Sequence, residues 1–297
     1  MLSILIPTYN YDCHCLVNDL RILAEGLSSG DSHMEYEIIV ADDGSTDNVC
    51  KDANRVIGEW EHCQYIELTE NCGRAAIRNT LARWAHYEFL LFIDSDAEVC
   101  SSDFLHNYIT SACLADVICG GVRNPEKLPS KEVSLRYEYE KSASHIRTLK
   151  FRKSHPHQYF TTFNFMIRRS LFLSIGFDEQ CTDYGYEDAL FGVELENKGI
   201  PIYHIDNPLI HLGIEQNDLF LTKTEMALRT LKSLGSKMQS HAQISRLAIE
   251  MEKRHLIGFI RIWHRFMGGL ERKQLESKNP SLFIFKIYKL GYYASLN

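Results

Sequence analysis

Over the first 93 residues, short apolar runs alternate with segments whose apolar residues recur every three or four positions. That alternation confines the chain to an α/β fold built on a parallel sheet. Residues 2–6 predict a strand that stops at Pro7, and Leu16, Leu20, Leu23, Ala24 and Leu27 mark a helix behind it. Tyr36-Glu-Ile-Ile-Val-Ala41 is the next strand, and Thr46 or Asp47 caps the helix that follows. Tyr65–Leu68 and Glu88–Ile93 read as strands on either side of a helix over Arg74–Ala85, whose apolar stripe is Ile77, Leu81, Trp84 and Ala85. The nearly unbroken apolar run at 88–93 suits a strand covered on both faces.

Beyond residue 116 the pattern loosens. Val117–Val122 and Thr161–Arg168 predict strands, Arg169–Ser174 a short helix, and Glu187–Asn197 a helix ended by Gly199. Ile200–Ile205 and Leu209–Leu212 are short strands around Asn207-Pro208, and residues 124–158 are polar with few structural signals. From Leu219 onward the pattern is helical and amphipathic.

Composition excludes several classes. With 45% hydrophobic and 24% charged residues, only 17 Gly and 7 Pro, and no low-complexity tract, the chain is neither fibrous nor disordered. No apolar run reaches the roughly 18 residues of a membrane span, and Met1–Pro7 has neither the basic start nor the cleavage site of a signal peptide. Nine cysteines, an odd number without a Cys-x-x-Cys pair, suit reduced thiols and a cytoplasmic setting. The net charge of −7 hides an asymmetry: residues 1–218 carry −16 and residues 219–297 carry +9. Nucleic acid is therefore not expected as a partner. The basic segment has three readings: an anionic membrane surface, packing against the rest of the chain, or simple neutralisation of the acidic part.

In an open parallel sheet ligands bind beyond the carboxyl ends of the strands, and polar clusters stand there repeatedly. They are Ile-Pro-Thr-Tyr-Asn at 6–10, Ala-Asp-Asp-Gly-Ser-Thr-Asp at 41–47, Asn-x-Gly-Arg-x-x-x-Arg-Asn at 71–79 and Asp-Ser-Asp at 94–96, followed later by Tyr-Gly-Tyr-Glu-Asp at 184–188. Taken singly, each has a plain structural reading: acids after a strand build turns and cap helices, and Glu187-Asp188 would suit a helix N-terminus. Taken together and in this order, they resemble the family 2 glycosyltransferases. The resemblance covers about residues 1–215 and is silent on the remainder.

The resemblance implies a GT-A fold: a mostly parallel nucleotide-binding sheet flanked by helices, here with a C-terminal helical extension. Together with the charge break after Asp218, it divides the chain into a catalytic domain, 1–218 (nucleotide-binding half 1–116, acceptor-binding half 117–218), and a basic helical extension, 219–297. Tyr9 has a ring to stack on a base, and the backbone beside Pro7 and Thr8 offers groups to the base edge. By resemblance Asp43 accepts from the uracil imide, which favours a UDP-sugar donor, with Asp42 left to cap the turn. Arg74 and Arg78 share a helix face; the family points to Arg74 for the nucleotide or diphosphate, while a structural ion pair is an equal reading for Arg78. Asn79 is expected to fix a loop. By resemblance Asp94 is expected at the ribose or a metal-bound water and Ser95 in the nucleotide-sugar site, with Asp96 and His211 at a divalent metal, Mn²⁺ or Mg²⁺, and His204 as the fallback ligand. Asp188 is the candidate general base and Glu187 a holder of acceptor hydroxyls.

The activity implied is inverting transfer to a glycan or lipid-linked glycan, in cell-surface or capsular polysaccharide assembly at the inner membrane face. Residues 124–158 are expected to form a mobile acceptor loop, and the segment between Phe160 and Asp188 to select the sugar. A non-catalytic nucleotide-sugar-binding partner is the alternative. A nucleotidyltransferase is disfavoured because Pro7-Thr8-Tyr9-Asn10 has neither glycine nor charge to cradle phosphates.

Overall fold

The computed structural model describes residues 1–29, 34–179, 184–239 and 241–296. In chain order the first half contains β1 (Leu2–Thr8), α1 (His14–Ser29), β2 (Tyr36–Asp42), α2 (Asn48–Asn54), β3 (Cys63–Glu67), α3 (Arg74–Trp84), β4 (Phe89–Ile93), β5 (Ala97–Glu98), α4 (Phe104–Ser111), β6 (Val117–Cys119) and β7 (Val122–Arg123). Then come α5 (Ser134–Ser142), α6 (Leu149–Ser154), β8 (Asn164–Arg168), α7 (Arg169–Ile175), α8 (Glu187–Asn197), β9 (Ile202–His204) and β10 (Leu209–His211). The chain ends in α9 (Asn217–Leu234), α10 (Ser236–Gln239), α11 (Gln243–Lys253), α12 (Ile257–Leu275) and α13 (Leu282–Ser295).

Two compact units share these elements. The first comprises Met1–Arg123, Ile146–Thr182 and Phe191–Gly213; the second comprises Asn124–His145, Asp183–Leu190 and Ile214–Asn297.

The first unit is a seven-stranded sheet in the order β3-β2-β1-β4-β8-β6-β9, beside a small sheet β5-β10-β7. Every pairing in the large sheet is parallel except those of β8, which runs antiparallel to both β4 and β6. Its central strands are buried on both faces. Ile4, Ile6, Ile38, Val40, Leu91 and Ile93 enter one apolar cluster, and their neighbours Leu5, Ile39, Ala41, Leu90 and Phe92 enter the other.

β1 runs two residues further than its sequence suggests, with Pro7 in register with Ala41 and Thr8 with Asp42. The even-numbered residues make the bonds to the β2 side, as in Leu2 N–H to Glu35 O and Asp43 N–H to Thr8 O. Pro7 therefore faces the β4 side, where pairing has already ended at Leu5 opposite Phe92. The N–H that proline lacks is not needed there.

The stretch 124–158 is not a long loop. It holds a 3₁₀ turn at Lys131–Val133 together with α5 and α6. Its helices escape an apolar-periodicity reading because much of what they bury is polar: α5 buries Glu140 beside Leu135 and Tyr137 on its own inward face, and α6 buries Arg152. Arg136 bridges Glu140 at 2.9 Å and Glu215 at 2.6 Å within the second unit.

In that unit Leu135, Leu221, Leu275, Phe285 and Tyr288 form a small core. Asn217 ties three segments together, accepting from Leu135 N–H at 2.8 Å and donating to Ser277 O at 2.9 Å. Buried Glu225 accepts from Tyr288 Oη and Arg272 Nη1, both at 2.5 Å. Among the described residues no helix is long and apolar enough to cross a membrane. The eight described cysteines are free thiols, and Cys181 lies outside the described residues.

Candidate active site

The loops after β1 and β2 are knitted into one wall. Asn10, in a left-handed conformation with φ 50°, donates its backbone N–H to Ser45 Oγ at 2.7 Å. Its side-chain oxygen accepts from the N–H groups of Thr46 and Asp47 at 2.8 and 2.9 Å. Asp47 in turn caps α2 through Val49 and Cys50. Gly44 has φ +70° and lies so close to the next loop that a Cβ would stand 2.6 Å from Asn71 N, so no other residue fits without moving that loop. Beside this wall Pro7 is half-buried, Thr8 is buried with its hydroxyl donating to Tyr11 O at 3.1 Å, and Tyr9 is 48% exposed, leaving its ring face open.

The two adjacent aspartates divide the work. Asp42 is the turn residue: it accepts Ser45 N–H at 2.6 Å and Tyr65 O–H at 2.7 Å. Burial, and then this bond to a carboxylate, hold the Tyr65 phenol protonated far above its usual range. Asp43 organises the loop that leads into α3. Its Oδ1 accepts Cys72 N–H at 2.8 Å and the Cys72 thiol at 3.0 Å, and its Oδ2 accepts Gly73 N–H at 3.0 Å. A carboxylate oxygen has two lone pairs, so Oδ2 can accept once more. Burial and Asp43 together push the Cys72 thiol up to about 12, keeping it protonated.

α3 presents exposed Arg74 in its first turn, while Arg78, one turn on, is 2% exposed and bridges Asp94 at 2.5 Å. Of its two readings, the ion pair is the one the structure contains. Asn79 donates to Phe177 O at 3.0 Å and Glu179 Oε1 at 2.8 Å and accepts Phe177 N–H at 2.8 Å, fixing the segment after α7.

Asp94, Ser95 and Asp96 are half-buried in the turn between β4 and β5. β5 pairs antiparallel with β10, which sets His211 opposite Ala97 and brings His211 Nε2 to 3.2 Å from Asp96 Oδ2. Leu212 N–H donates to Asp96 O at 2.8 Å, closing the turn from the other side. The next residue, Gly213, carries no signal in the sequence, yet a Cβ there would collide with the Asp96 carboxylate, reaching 2.7 Å from its Cγ. Among the described residues no group of three or more His, Cys, Asp and Glu could hold a metal ion by itself.

His204 is not an alternative ligand. It is 1% exposed, accepts from Arg152 Nη1 on Nδ1 at 2.9 Å and donates from Nε2 to Pro156 O at 2.9 Å. Arg152 also donates to the carbonyls of Cys119, Gly120 and Ile205. Burial, reinforced by this guanidinium, lowers the His204 pKa from 6.5 to about 4. The unfolded chain therefore takes up a proton between those values that the folded chain refuses. This contribution to stability is complete above pH 6.5 and disappears as pH falls toward 4, amounting to about 3 kcal/mol. Urea titrations at pH 7 and pH 4.5 are expected to show a fall that is about 2–3 kcal/mol smaller in His204→Gln; equal falls would remove His204 as the cause.

Glu187 and Asp188 open α8 and belong to the second unit. Glu187 is buried, and half-buried Asp188 accepts the N–H of Ala189 at 2.7 Å. Tyr184 O in this segment accepts from Thr230 of α9 at 3.1 Å. Of the residues expected to select the sugar, 180–183 lie outside the described residues.

A mostly parallel sheet flanked by helices, with acidic turns at its strand ends, is a GT-A type fold. The sequence model of glycosyl transferase family 2 matches residues 3–176, and the chain belongs to that family. Validoxylamine A glucosyltransferase of Streptomyces hygroscopicus subsp. limoneus is 28% identical over 229 residues, covering 68% of this chain and 49% of that protein. Chondroitin synthase of Pasteurella multocida (strain Pm70) is 25% identical over 248 residues, covering 71% of this chain and 24% of that protein. The chain thus spans about half or less of the length of these curated relatives. The mannosyltransferase PcManGT of Pyrobaculum calidifontis, solved with GDP-Man and Mn²⁺, shares the fold at TM-score 0.57 and 14% identity, covering 99% of this chain and 84% of its own.

Proposed function

We propose that the protein transfers a sugar from a UDP-sugar to a hydroxyl of a glycan or lipid-linked glycan, with inversion, in assembly of a surface polysaccharide. The observation that carries this reading is the 3.2 Å approach of Asp96 Oδ2 and His211 Nε2, groups 115 positions apart in sequence. A carboxylate and an imidazole together suit Mn²⁺ or Mg²⁺. Asp96 and His211 would hold such a cation, and with only two protein ligands it would be expected to arrive with the donor. Such a cation would offset charge developing on the leaving diphosphate.

The chain's own groups do the rest. Tyr9 offers a ring to the base and Asp43 an acceptor to its imide, exposed Arg74 serves the nucleotide or diphosphate, Asp94 the ribose or a metal-bound water, and Ser95 the nucleotide-sugar. The acceptor oxygen attacks the anomeric carbon, the bond from that carbon to the diphosphate oxygen breaks with its electron pair, and the hydroxyl proton passes to Asp188. Glu187 holds acceptor hydroxyls. The relative named as a glucosyltransferase supports sugar transfer, and the one named as a chondroitin synthase supports polysaccharide chemistry. PcManGT binds a guanosine donor, so the choice of base is tested directly.

Nucleotide released from a panel of UDP- and GDP-sugars, with an oligosaccharide acceptor and Mn²⁺, is expected to favour uridine donors at least about tenfold. Chelator should abolish turnover and added Mn²⁺ restore it. Indifference to chelation would remove the metal, and donor binding without transfer would favour a non-catalytic partner.

A further inference from the structure

The outward face of α12 is apolar where a helix on a closed surface is ordinarily polar. Phe259, Ile262, Trp263, Phe266 and Leu270 recur at spacings of three and four, and they are between 42% and 76% exposed. The opposite face is complete without them: Gly268, Glu271 and Leu275 are buried, and Trp263 donates its indole N–H inward to Glu271 at 2.7 Å. Four cations and one carboxylate occur along α12, and the carboxylate is this inward Glu271. Arg272 is turned to Glu225 and Glu276 and Arg261 to Ala294 O, while Arg265 is exposed beside the apolar strip and exposed Lys273 continues the strip's own line. Phe283, 71% exposed, and the exposed Lys286 repeat the combination at the start of α13.

We infer that α12 is a membrane-docking helix that lies in the interface of a bilayer bearing anionic headgroups. Its apolar strip from Phe259 to Leu270 measures about 16 Å at 1.5 Å per residue, enough to lie in an interface and far too short to cross one. Charge complementarity selects the occupant. Anionic headgroups would meet Arg265 and Lys273 while acyl chains receive the phenylalanines. A second copy of the chain, meeting face to face, would instead set Arg265 and Lys273 against cations of their own kind. The inference concerns binding alone and is tested with no sugar donor present, so it stands or falls apart from the proposed transfer.

The full chain is sedimented with vesicles of phosphatidylcholine alone and with vesicles containing about one-third phosphatidylglycerol. Binding is expected at least about tenfold stronger to the anionic vesicles and to weaken as salt is raised. Phe266→Ser with Leu270→Ser is expected to lose about tenfold or more on both compositions. Arg265→Gln with Lys273→Gln is expected to lose the preference between them. These side chains are exposed, and an unchanged melting temperature verifies the fold. Absence of wild-type binding to either vesicle, or undiminished binding by the serine variant, would overturn the inference. So would a concentration-dependent dimer that the serine variant abolishes while vesicles go unbound.

Discussion

Asp188→Asn is expected to lower turnover by about 10² to 10⁴ while leaving affinity for the nucleotide within about twofold of wild type. The substitution is nearly isosteric. The amide oxygen of the asparagine can still accept the Ala189 N–H that Asp188 accepts at 2.7 Å, so the first turn of α8 survives. What disappears is the capacity to take a proton from the attacking hydroxyl. A base acts only as the new bond forms, so the loss should appear in kcat with little change in the donor's KM. Glu187→Gln separates the neighbouring roles: a residue that holds acceptor hydroxyls should raise the acceptor KM more than it lowers kcat. Nucleotide binding by calorimetry beside single-turnover transfer reads both variants. Near-normal transfer by Asp188→Asn would show that the proton goes elsewhere.

How far such roles can be read from sequence depends on whether the deciding contact is local. The strands at 36–42 and 89–93 are legible because burial on both faces demands continuous apolar residues. The Asp47 cap and the helix ending at Gly199, with φ +66°, follow from chemistry within a few residues. The direction of β8 is not legible, since an apolar run is the same read either way.

His204 and His211 make the point most sharply. Both are buried, and both close a short strand after an apolar pair. One meets Arg152, brought in by α6, and the other meets Asp96, brought in by β5. No local pattern distinguishes them. Arg78 is similar, its partner Asp94 being selected by the crossing from α3 to the end of β4. For α5 and α6 the signal is misleading, because their inward faces carry Glu140 and Arg152. For α12 the apolar spacing is plain, but spacing alone does not say that Phe266 faces outward, 76% exposed.

Gly213→Ala is expected to leave the fold intact and lower metal-dependent turnover by about 10- to 100-fold. The added methyl would occupy the place of the Asp96 carboxylate and stand 2.7 Å from its Cγ, so the side chain must turn away. That movement is cheap for stability, because Asp96 is half-buried at the end of a turn and its backbone stays bonded to Leu212. It is costly for function if Asp96 and His211 act as a pair, since their 3.2 Å approach exists only while the carboxylate points at Nε2. The Mn²⁺ concentration for half-maximal transfer should therefore rise, and nucleotide binding without metal should not. Gly26→Ala in α1, where a Cβ meets nothing within 4 Å, is the matched control and should keep wild-type activity. An alanine at position 213 that left the Mn²⁺ response unchanged would mean that the orientation of Asp96 toward His211 has no part in the reaction.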